Sequence, residues 1–277
     1  MFEKNYYCLV SGLKEYTPDS DTKGFDAAQI VGEILEELSP RDAAAVRLLY
    51  GYYDCENIAA ARSGRAAYNP LGNLTQEEVA GALKSPEGLP DAVTQVIRAF
   101  ADPEGEDAEE MDLTHGFENA LFAAYYRTCE RSSCRFLREW SEFDRTLRNV
   151  TAALAARAAQ RPVDSVTVGG GDVVEQLQRS SSADFGLRGE LQYIDAVIAA
   201  VNDEANMLEK ERKIDMVRWD MAGELAAFDY FNIGAVLSYL VKINIVARWS
   251  VLDPKRGREI FERLMAELDG KDLINKQ

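Results

Sequence analysis

The stretch from Thr114 to about Gln160 constrains the fold of this chain more than any other feature. Large apolar residues recur there at alternating steps of four and three, which is the spacing of a coiled-coil-like seam. Such a seam must lie along another long helix. We therefore predict one very long helix, of a kind that suits struts and adaptors better than compact enzymes, whose helices average about three turns. The seam residues are Phe136, Trp140, Phe143, Leu147, Val150 and Leu154.

Helical periodicity also covers most of the remaining chain. Ser39-Pro40 predicts a helix start, because serine caps the first turn and proline is tolerated at its first position. The capping-box motif Thr75-Gln-Glu-Glu78 predicts another. Two short segments, 6–13 and 165–168, are candidate strands. We therefore predict a mainly α fold with at most a minor β element. Further helices are predicted at about 89–101, 172–179, 187–217 and 219–268, the last with a break at Asp253-Pro254.

The charge balance narrows the set of partners. The net charge is −16, which repels nucleic-acid phosphates and anionic lipid surfaces and favours a basic protein partner. Solubility alone would also explain a charge of this size. The first residues lack the pattern of a signal peptide, and the four cysteines form no CxxC motif, so we expect a cytoplasmic protein with reduced thiols. The most apolar window, 230–252, is interrupted by Lys242, Asn244 and Arg248. It predicts a buried core helix and no direct membrane insertion.

The sequence contains little that indicates catalysis. His115 is its single histidine, so a histidine-rich metal site is excluded. No nucleotide-binding, zinc-protease or nucleophile-elbow motif occurs. The glycine run 169–171 lacks the spacing of a dinucleotide-binding loop, and we interpret it as a flexible turn. From the residues alone we predict a helical protein with no catalytic residue, no cofactor and no metal.

Three segments together resemble the C/d family of V/A-type ATPase subunits. The first is the apolar-aromatic run Leu48-Leu-Tyr-Gly-Tyr-Tyr followed by Asp54 and Asn57. The second carries Asp144 and Asn149, and the third is the apolar helix with Asn244 and Arg248, followed by 258–264. The order of the matches, which span about residues 45–265, carries the resemblance.

The chain also departs from the family pattern. It is shorter than typical members, and Asn244 stands where many members have a carboxylate. Asn149 follows Asp144 by five residues instead of three. The opening segment is similar to that of a divergent, uncharacterised bacterial group associated with V-type ATPases.

The resemblance implies a single helical domain, 1–277, built as a funnel-like long-helix bundle of three pseudo-repeated units. Their approximate limits are 25–111, 112–170 and 171–277. The narrow end of such a funnel rests on the membrane rotor ring, and the open end receives the central stalk. The protein would then be a non-catalytic component that couples stalk to ring, cytoplasmic and peripheral to the inner membrane.

The chemistry of the residues themselves indicates structural roles for the first two motif residues. Asp54 is a good helix N-cap, and Asn57 can satisfy a backbone group in a packed corner. Arg62, Arg65 and the loop to Tyr68 are candidate partner-facing residues. Asp144, Asn149, Asn244 and Arg248 are either structural or partner-facing.

Two alternatives to the ATPase interpretation remain open. The first is a cytosolic helical adaptor or regulator unrelated to ATPases, which would have a stable partner that is not part of a stalk. The second is an enzyme with an all-helical pocket, which a concave pocket containing perturbed carboxylates would favour.

Overall fold

The computed structural model describes residues 4–19, 24–109, 111, 113–203 and 206–252. Over these residues the chain forms twelve helices and no strand, which confirms the mainly α prediction. The helices are α1 (Tyr7–Gly12), α2 (Ala27–Glu37), α3 (Pro40–Arg62), α4 (Gln76–Ala82), α5 (Asp91–Ala101), α6 (Glu106–Glu109), α7 (Phe117–Glu130), α8 (Arg135–Ala158), α9 (Asp172–Arg179), α10 (Ile194–Asn202), α11 (Met207–Leu225) and α12 (Ile233–Leu252).

Helix starts follow the local capping chemistry. Ser39 caps α3 by accepting a hydrogen bond from the Asp42 N–H, and Pro40 occupies the first position, as predicted. Thr75 and Glu78 form the predicted capping box at α4. Asn206 caps α11 in the same way as Ser39 caps α3. These caps satisfy backbone N–H groups that have no partner inside the helix.

Helix α8 lies at the centre of the bundle. All six seam residues are buried, so the predicted apolar stripe is confirmed. Helix α8 packs against α7, α9, α10, α11 and α12, whereas a coiled coil would pair it with one long helix. The aromatic members are in contact, with ring centroids of Trp140 and Phe143 5.4 Å apart. Burial of this stripe is a main source of hydrophobic stabilisation in the fold.

The prediction of one helix over 114–160 is wrong. The chain turns at residues 131–134, so α7 and α8 are separate helices that pack on each other. In the turn the Ser132 hydroxyl accepts a hydrogen bond from the Cys134 N–H at 3.2 Å. A serine hydroxyl that accepts from a nearby backbone N–H competes with the backbone hydrogen bonds of a helix. This competition explains a break that hydrophobic periodicity alone did not reveal.

Both predicted strands are also wrong. Residues 7–12 form the short helix α1, and 165–168 lie in a turn and an extended segment held by side chains of α8. Neither segment has a partner strand within the described residues, and an isolated strand leaves its backbone groups unpaired.

The predicted long C-terminal helices are divided. The described residues form three separate helices there, α10, α11 and α12, and residues 226–232 connect α11 to α12. The acidic segment that follows α5 contains the single-turn helix α6. The predicted break at Asp253-Pro254 and the closing helix 258–264 lie outside the described residues. None of the helices within the described part of the chain has both the length and the apolar character needed to cross a membrane.

We expect Leu147→Ala to destabilise the fold by about 3 kcal/mol, because Leu147 is fully buried in α8 and its removal leaves a cavity. Urea denaturation measures this change. The exposed residue Glu142 on the same helix gives a control, Glu142→Ala, expected to change the free energy of unfolding by about 0.5 kcal/mol or less. Equal effects of the two substitutions would contradict the central position of α8.

Candidate functional site

Asp54 binds the loop that follows α3. Its Oδ1 accepts a hydrogen bond from the Leu74 N–H at 2.9 Å, and its Oδ2 accepts one from Asn73 Nδ2 at 2.7 Å. The N-cap role predicted for Asp54 is wrong, because α3 begins at Pro40 and Asp54 lies in its interior. Burial raises the pKa of the Asp54 carboxyl, and these hydrogen bonds oppose the rise. A Cβ atom at Gly72 would stand 2.8 Å from Asp54 Oδ1, so only glycine fits this close approach.

Asn57 satisfies both backbone groups of one loop residue. Its Oδ1 accepts a hydrogen bond from the Asn69 N–H at 2.7 Å, and its Nδ2 donates one to the Asn69 carbonyl at 2.9 Å. The side chain of Asn57 is buried. The prediction that Asn57 satisfies a backbone group in a packed corner is therefore confirmed.

Asn149 makes the same pair of contacts from α8. Its Oδ1 accepts a hydrogen bond from the Val168 N–H at 2.8 Å, and its Nδ2 donates to the Val168 carbonyl at 3.0 Å. Both residues are buried. Asn57 and Asn149, which we call the bidentate asparagines, thus each fold the loop after a long helix back against that helix.

Asn244 makes a different contact. Its Oδ1 accepts a hydrogen bond from the Tyr50 hydroxyl at 2.8 Å, which joins α12 to α3. Burial raises the pKa of Tyr50 well above its ordinary value, so the phenol keeps its proton and donates it.

A connected set of ion pairs and hydrogen bonds links α7, α8, α11 and α12. Asp144 accepts hydrogen bonds from the Tyr126 hydroxyl at 2.7 Å and from Arg218 Nε at 3.0 Å. Arg218 also donates to Asp215 at 3.0 Å, and Arg248 donates to both oxygens of Asp215, at 3.2 and 3.0 Å. A buried carboxylate is stable only when paired in this way. The predicted residues Asp144 and Arg248 are therefore joined through Arg218 and Asp215.

The same set extends toward α3. Arg148 Nη1 donates to the Tyr52 hydroxyl at 3.0 Å, and its guanidinium lies 4.2 Å from the centroid of the Phe122 ring. Glu56 lies next to this group. Burial raises the pKa of the Glu56 carboxyl, and the positive charge of Arg148 opposes the rise. We call the whole set the central network; its charged members are Glu56, Asp144, Arg148, Glu211, Asp215, Arg218 and Arg248.

A pocket of about 400 Å³ opens beside the central network, between α3, the loop that follows it, α7 and α8. Glu56 and Arg148, which are both partly buried, line this pocket. Arg65 and Glu118 form an ion pair of 3.1 Å in which both side chains are about half exposed, so they form the rim. This volume falls within the range of small-ligand sites.

Some of the residues that were predicted to face a partner line this pocket, and others do not. Arg65 and Tyr68 line it, whereas Arg62 does not. The Arg62 guanidinium donates to the Phe100 carbonyl at 3.1 Å and lies 4.5 Å from the Phe117 ring centroid. Arg62 therefore ties α3 to α5 and α7.

Several residues of the site were missed by the sequence interpretation. Glu56 lies inside the segment that carried the resemblance, and Arg148 directly precedes Asn149, but neither was singled out. Asp215 and Arg218 are three residues apart, a spacing that places them on one helix face and was a usable signal. Their pairing with α8 and α12 is tertiary, and no local pattern indicates it.

The other features considered for chemistry lie elsewhere. His115 is exposed in the turn before α7 and does not line the pocket. The glycine run precedes α9, with Gly169 and Gly171 at positive φ, and Arg145 donates to the Gly170 carbonyl at 3.3 Å. Within the described residues, no group of three or more histidine, cysteine, aspartate or glutamate side chains is arranged to hold a metal ion.

Comparison with known proteins gives the family of this chain. Residues 3–271 match the family described as "Protein of unknown function (DUF2764)", and the chain belongs to that family. It is also 24% identical over 265 residues to a protein of Chlamydia pneumoniae described as uncharacterized. That alignment covers 94% of this chain and 97% of the relative, so the likeness extends over nearly the whole length of both.

We expect Asn149→Ala to destabilise the protein by about 3 kcal/mol, because it leaves the buried N–H and carbonyl of Val168 without partners. Urea denaturation measures the change. Asn149→Asp tests the two contacts one at a time, since a carboxylate can still accept from the Val168 N–H but cannot donate to the Val168 carbonyl. A loss below about 1 kcal/mol for Asn149→Ala would show that the contact is not required.

We expect Glu56→Gln to be more stable than the wild-type protein at pH 7. The folded protein holds the Glu56 proton more tightly than the unfolded chain, because burial raises the carboxyl pKa. The stability that this group contributes is therefore present below its unfolded pKa and is lost as the pH rises through the folded pKa. Glutamine cannot ionise, so the difference between the two proteins should shrink toward about pH 4.

The measurement is the free energy of unfolding in urea at both pH values. Glu118→Gln, at a side chain that is 53% exposed, controls for the loss of a carboxylate near the surface. A Glu56→Gln protein that is clearly less stable at pH 7 would show that the ionised carboxylate stabilises the fold.

Proposed function

We propose that this chain is a non-catalytic structural subunit of a V/A-type rotary ATPase and couples the central stalk to the membrane rotor ring. The observation that carries the proposal is the shared geometry of the bidentate asparagines. Asn57 on α3 and Asn149 on α8 each bind both backbone groups of one residue in the following loop. Both lie in the segments whose sequence resembles the repeated motif of the C/d family.

Repetition of this contact in the first two motifs supports related helical units there. The third motif, on α12, differs, because Asn244 accepts a hydrogen bond from the Tyr50 hydroxyl at 2.8 Å and binds no loop residue in this way. We propose approximate limits of 25–111, 112–170 and 171–277 for the three units in one domain, arranged as a funnel around the tip of the stalk.

The central network supports a role in transmitting torque. A coupling element must resist twisting, so its long helices must be fixed to one another. Asp144–Arg218 joins α8 to α11, and Asp215–Arg248 joins α11 to α12, each with a 3.0 Å contact. Asp215 is 3% exposed at its side chain, so water and salt screen these charges poorly. Such pairs favour one arrangement of helices over others.

Charge favours a basic partner surface. A net charge of −16 accelerates association with positively charged surfaces and suppresses contact with acidic ones. We propose that the protein is cytoplasmic and reaches the inner membrane through the rotor ring and stalk, without inserting into the bilayer and without binding nucleic acid.

One observation favours a second candidate, an enzyme with an all-helical pocket. Glu56 is a carboxylate of raised pKa in a concave site, which is a feature of general acids and bases. The surrounding polar groups favour the first candidate, because they already bind protein atoms. Arg65 donates to Ser63 and Glu118, and Asn57 is bonded to Asn69.

The experiment that tests the proposal is a pull-down of the tagged protein from gently solubilised native membranes, with co-purifying proteins identified by mass spectrometry. We expect the stalk and ring proteins in amounts comparable to the bait. A tagged, unrelated acidic protein of similar size controls for adhesion by charge. A bait that is recovered alone, or with soluble proteins unrelated to an ATPase, would contradict the proposal and favour a helical adaptor.

A further inference from the structure

Helices α11 and α12 run antiparallel along one line of contacts. The Ser238 hydroxyl on α12 donates to the Ala222 carbonyl on α11. Further along, Arg248 on α12 binds Asp215 and also Glu211, which lies one helical turn earlier on α11. The next turn of this line therefore brings the first residues of α11 beside the last residues of α12.

This line of contacts ends in exposed apolar side chains. Met207 and Leu208 lie four and three residues before Glu211, and Val251 lies three residues after Arg248, so helical spacing places them along the same faces. Met207 is 78% exposed, Leu208 40% and Val251 70%. We call Met207, Leu208 and Val251 the end patch. Large apolar side chains that meet at the end of a packed helix pair are typical of a surface that another element covers.

The chain itself continues from the end patch. α12 ends at Leu252, and residues 253–277 lie outside the described residues. Within them, the sequence 258–268 has its large apolar residues at the spacing of one helix face, and charged residues occupy most of the other positions. The apolar residues are Ile260, Phe261, Leu264, Met265 and Leu268.

Chain length determines which surface this segment can cover first. Residues 253–257 join it to α12, and an extended chain spans at most about 3.5 Å per residue, so this connection reaches about 20 Å. The Asp253-Pro254 pair favours a turn within it. The end patch adjoins the start of this connection. The exposed side chain of Phe228 lies past the far end of α11, a helix of 19 residues and therefore about 28 Å long.

The charges of the two surfaces are complementary. Glu209 is exposed in the first turn of α11, and its carboxylate has no partner among the described residues. Lys255, Arg256 and Arg258 stand together at the start of the segment, although the chain as a whole is strongly acidic. These cations also follow the carbonyl end of α12, where positive charge is favourable. The charged neighbours of Glu209 on α11 already have partners; they are Lys210, Glu211 and Arg212.

We propose that residues 258–268 form an amphipathic helix that folds back over the end patch, with its apolar face on Met207, Leu208 and Val251. This inference goes beyond the proposed function and does not depend on it. The competing occupants are a second copy of the chain and a helix of another protein. The chain's own segment is favoured over both, because a short connection holds it at an effective concentration of about the millimolar range.

A photo-crosslinking residue at position 207 tests the contact in the full-length purified protein. Met207 is exposed, so a benzophenone side chain there leaves the core intact. After irradiation we expect an adduct within one chain to residues 258–268, located by mass spectrometry after proteolysis. Position 228 is the matched control, since Phe228 is 87% exposed beyond the other end of α11. It should give no adduct to this segment.

Two substitutions in the segment test which of its faces makes the contact. Leu264→Asp should lower the yield of the adduct from position 207 about ten-fold, because it places a charge in the apolar face. Ala266→Asp places the same charge on the opposite face and should change the yield about two-fold or less. A native near-ultraviolet circular dichroism spectrum shows that each variant is folded. Equal yields from the two variants would overturn the proposal.

Hydrogen exchange provides a test without any change in the segment. The amides of residues 260–268 should exchange slowly in the wild-type protein and about ten-fold faster in Met207→Asp, which places a charge in the end patch. Aspartate is favourable in the first turn of a helix, so this variant keeps α11. Phe228→Asp is the control and should leave the exchange unchanged.

Three results would overturn the proposal. Adducts that form only between two chains, with a yield that rises with protein concentration, would assign the end patch to a second copy. The absence of any adduct from position 207 to residues 258–268 would show that the segment does not lie there. Fast exchange of residues 260–268 in the wild-type protein would show that the segment forms no stable helix on this surface.

Discussion

The buried carboxylate of Asp215 is the interaction on which the arrangement of the C-terminal helices depends. It accepts hydrogen bonds from Arg218, Arg248 and the Trp249 indole, the last at 3.0 Å. An unpaired charge at this depth would cost several kcal/mol, so α11 and α12 must present these donors together. Arg218 then extends the pairing to Asp144 on α8, and Asp144 to Tyr126 on α7. Three helices are thus joined by ion pairs, and the Tyr126 hydroxyl joins the fourth, α7, to the same set.

Local features of the fold could be predicted from the sequence, because their causes are local. Ser39-Pro40 and the Thr75–Glu78 box start helices through contacts within four residues, and the apolar stripe of α8 follows from helical spacing. The bidentate role of Asn57 was partly predictable, since a buried asparagine in a helix must bind something polar. Its partner Asn69 could not be identified, because the loop path depends on the whole corner.

The wrong predictions from the sequence have a common physical cause, because each depends on contacts that hydrophobic periodicity and residue type do not report. The turn at 131–134 interrupts an otherwise continuous helical pattern through hydrogen bonds of Ser132, which hydrophobic periodicity does not report. Aspartate is a residue type favoured at helix N-caps, but Asp54 lies inside α3. Its carboxylate there binds a loop residue twenty positions further along the chain. The central network joins residues as far apart as Asp144 and Arg218, which are 74 positions apart. Only the folded chain brings such pairs together, so the pocket and the carboxylate of Glu56 that lines it could not be found from sequence.

The bidentate asparagines and the ion pairs around Asp215 hold the helices in one arrangement. Such rigidity is what the proposed coupling role requires. Glu56 lies beside these contacts on α3, where burial raises the pKa of its carboxyl, and the charge of Arg148 and hydrogen bonds with Asn69 and Tyr52 oppose the rise.

We propose that this chain couples ATP hydrolysis to ion movement without taking part in the chemistry. It is tested most directly in inverted membrane vesicles from cells that lack the chain, where ATP hydrolysis and the ion gradient are measured together. We predict that the gradient is lost while hydrolysis by the catalytic part of the ATPase persists, and that the wild-type chain restores the gradient. An unchanged ATP-driven gradient in vesicles without the chain would contradict the claim.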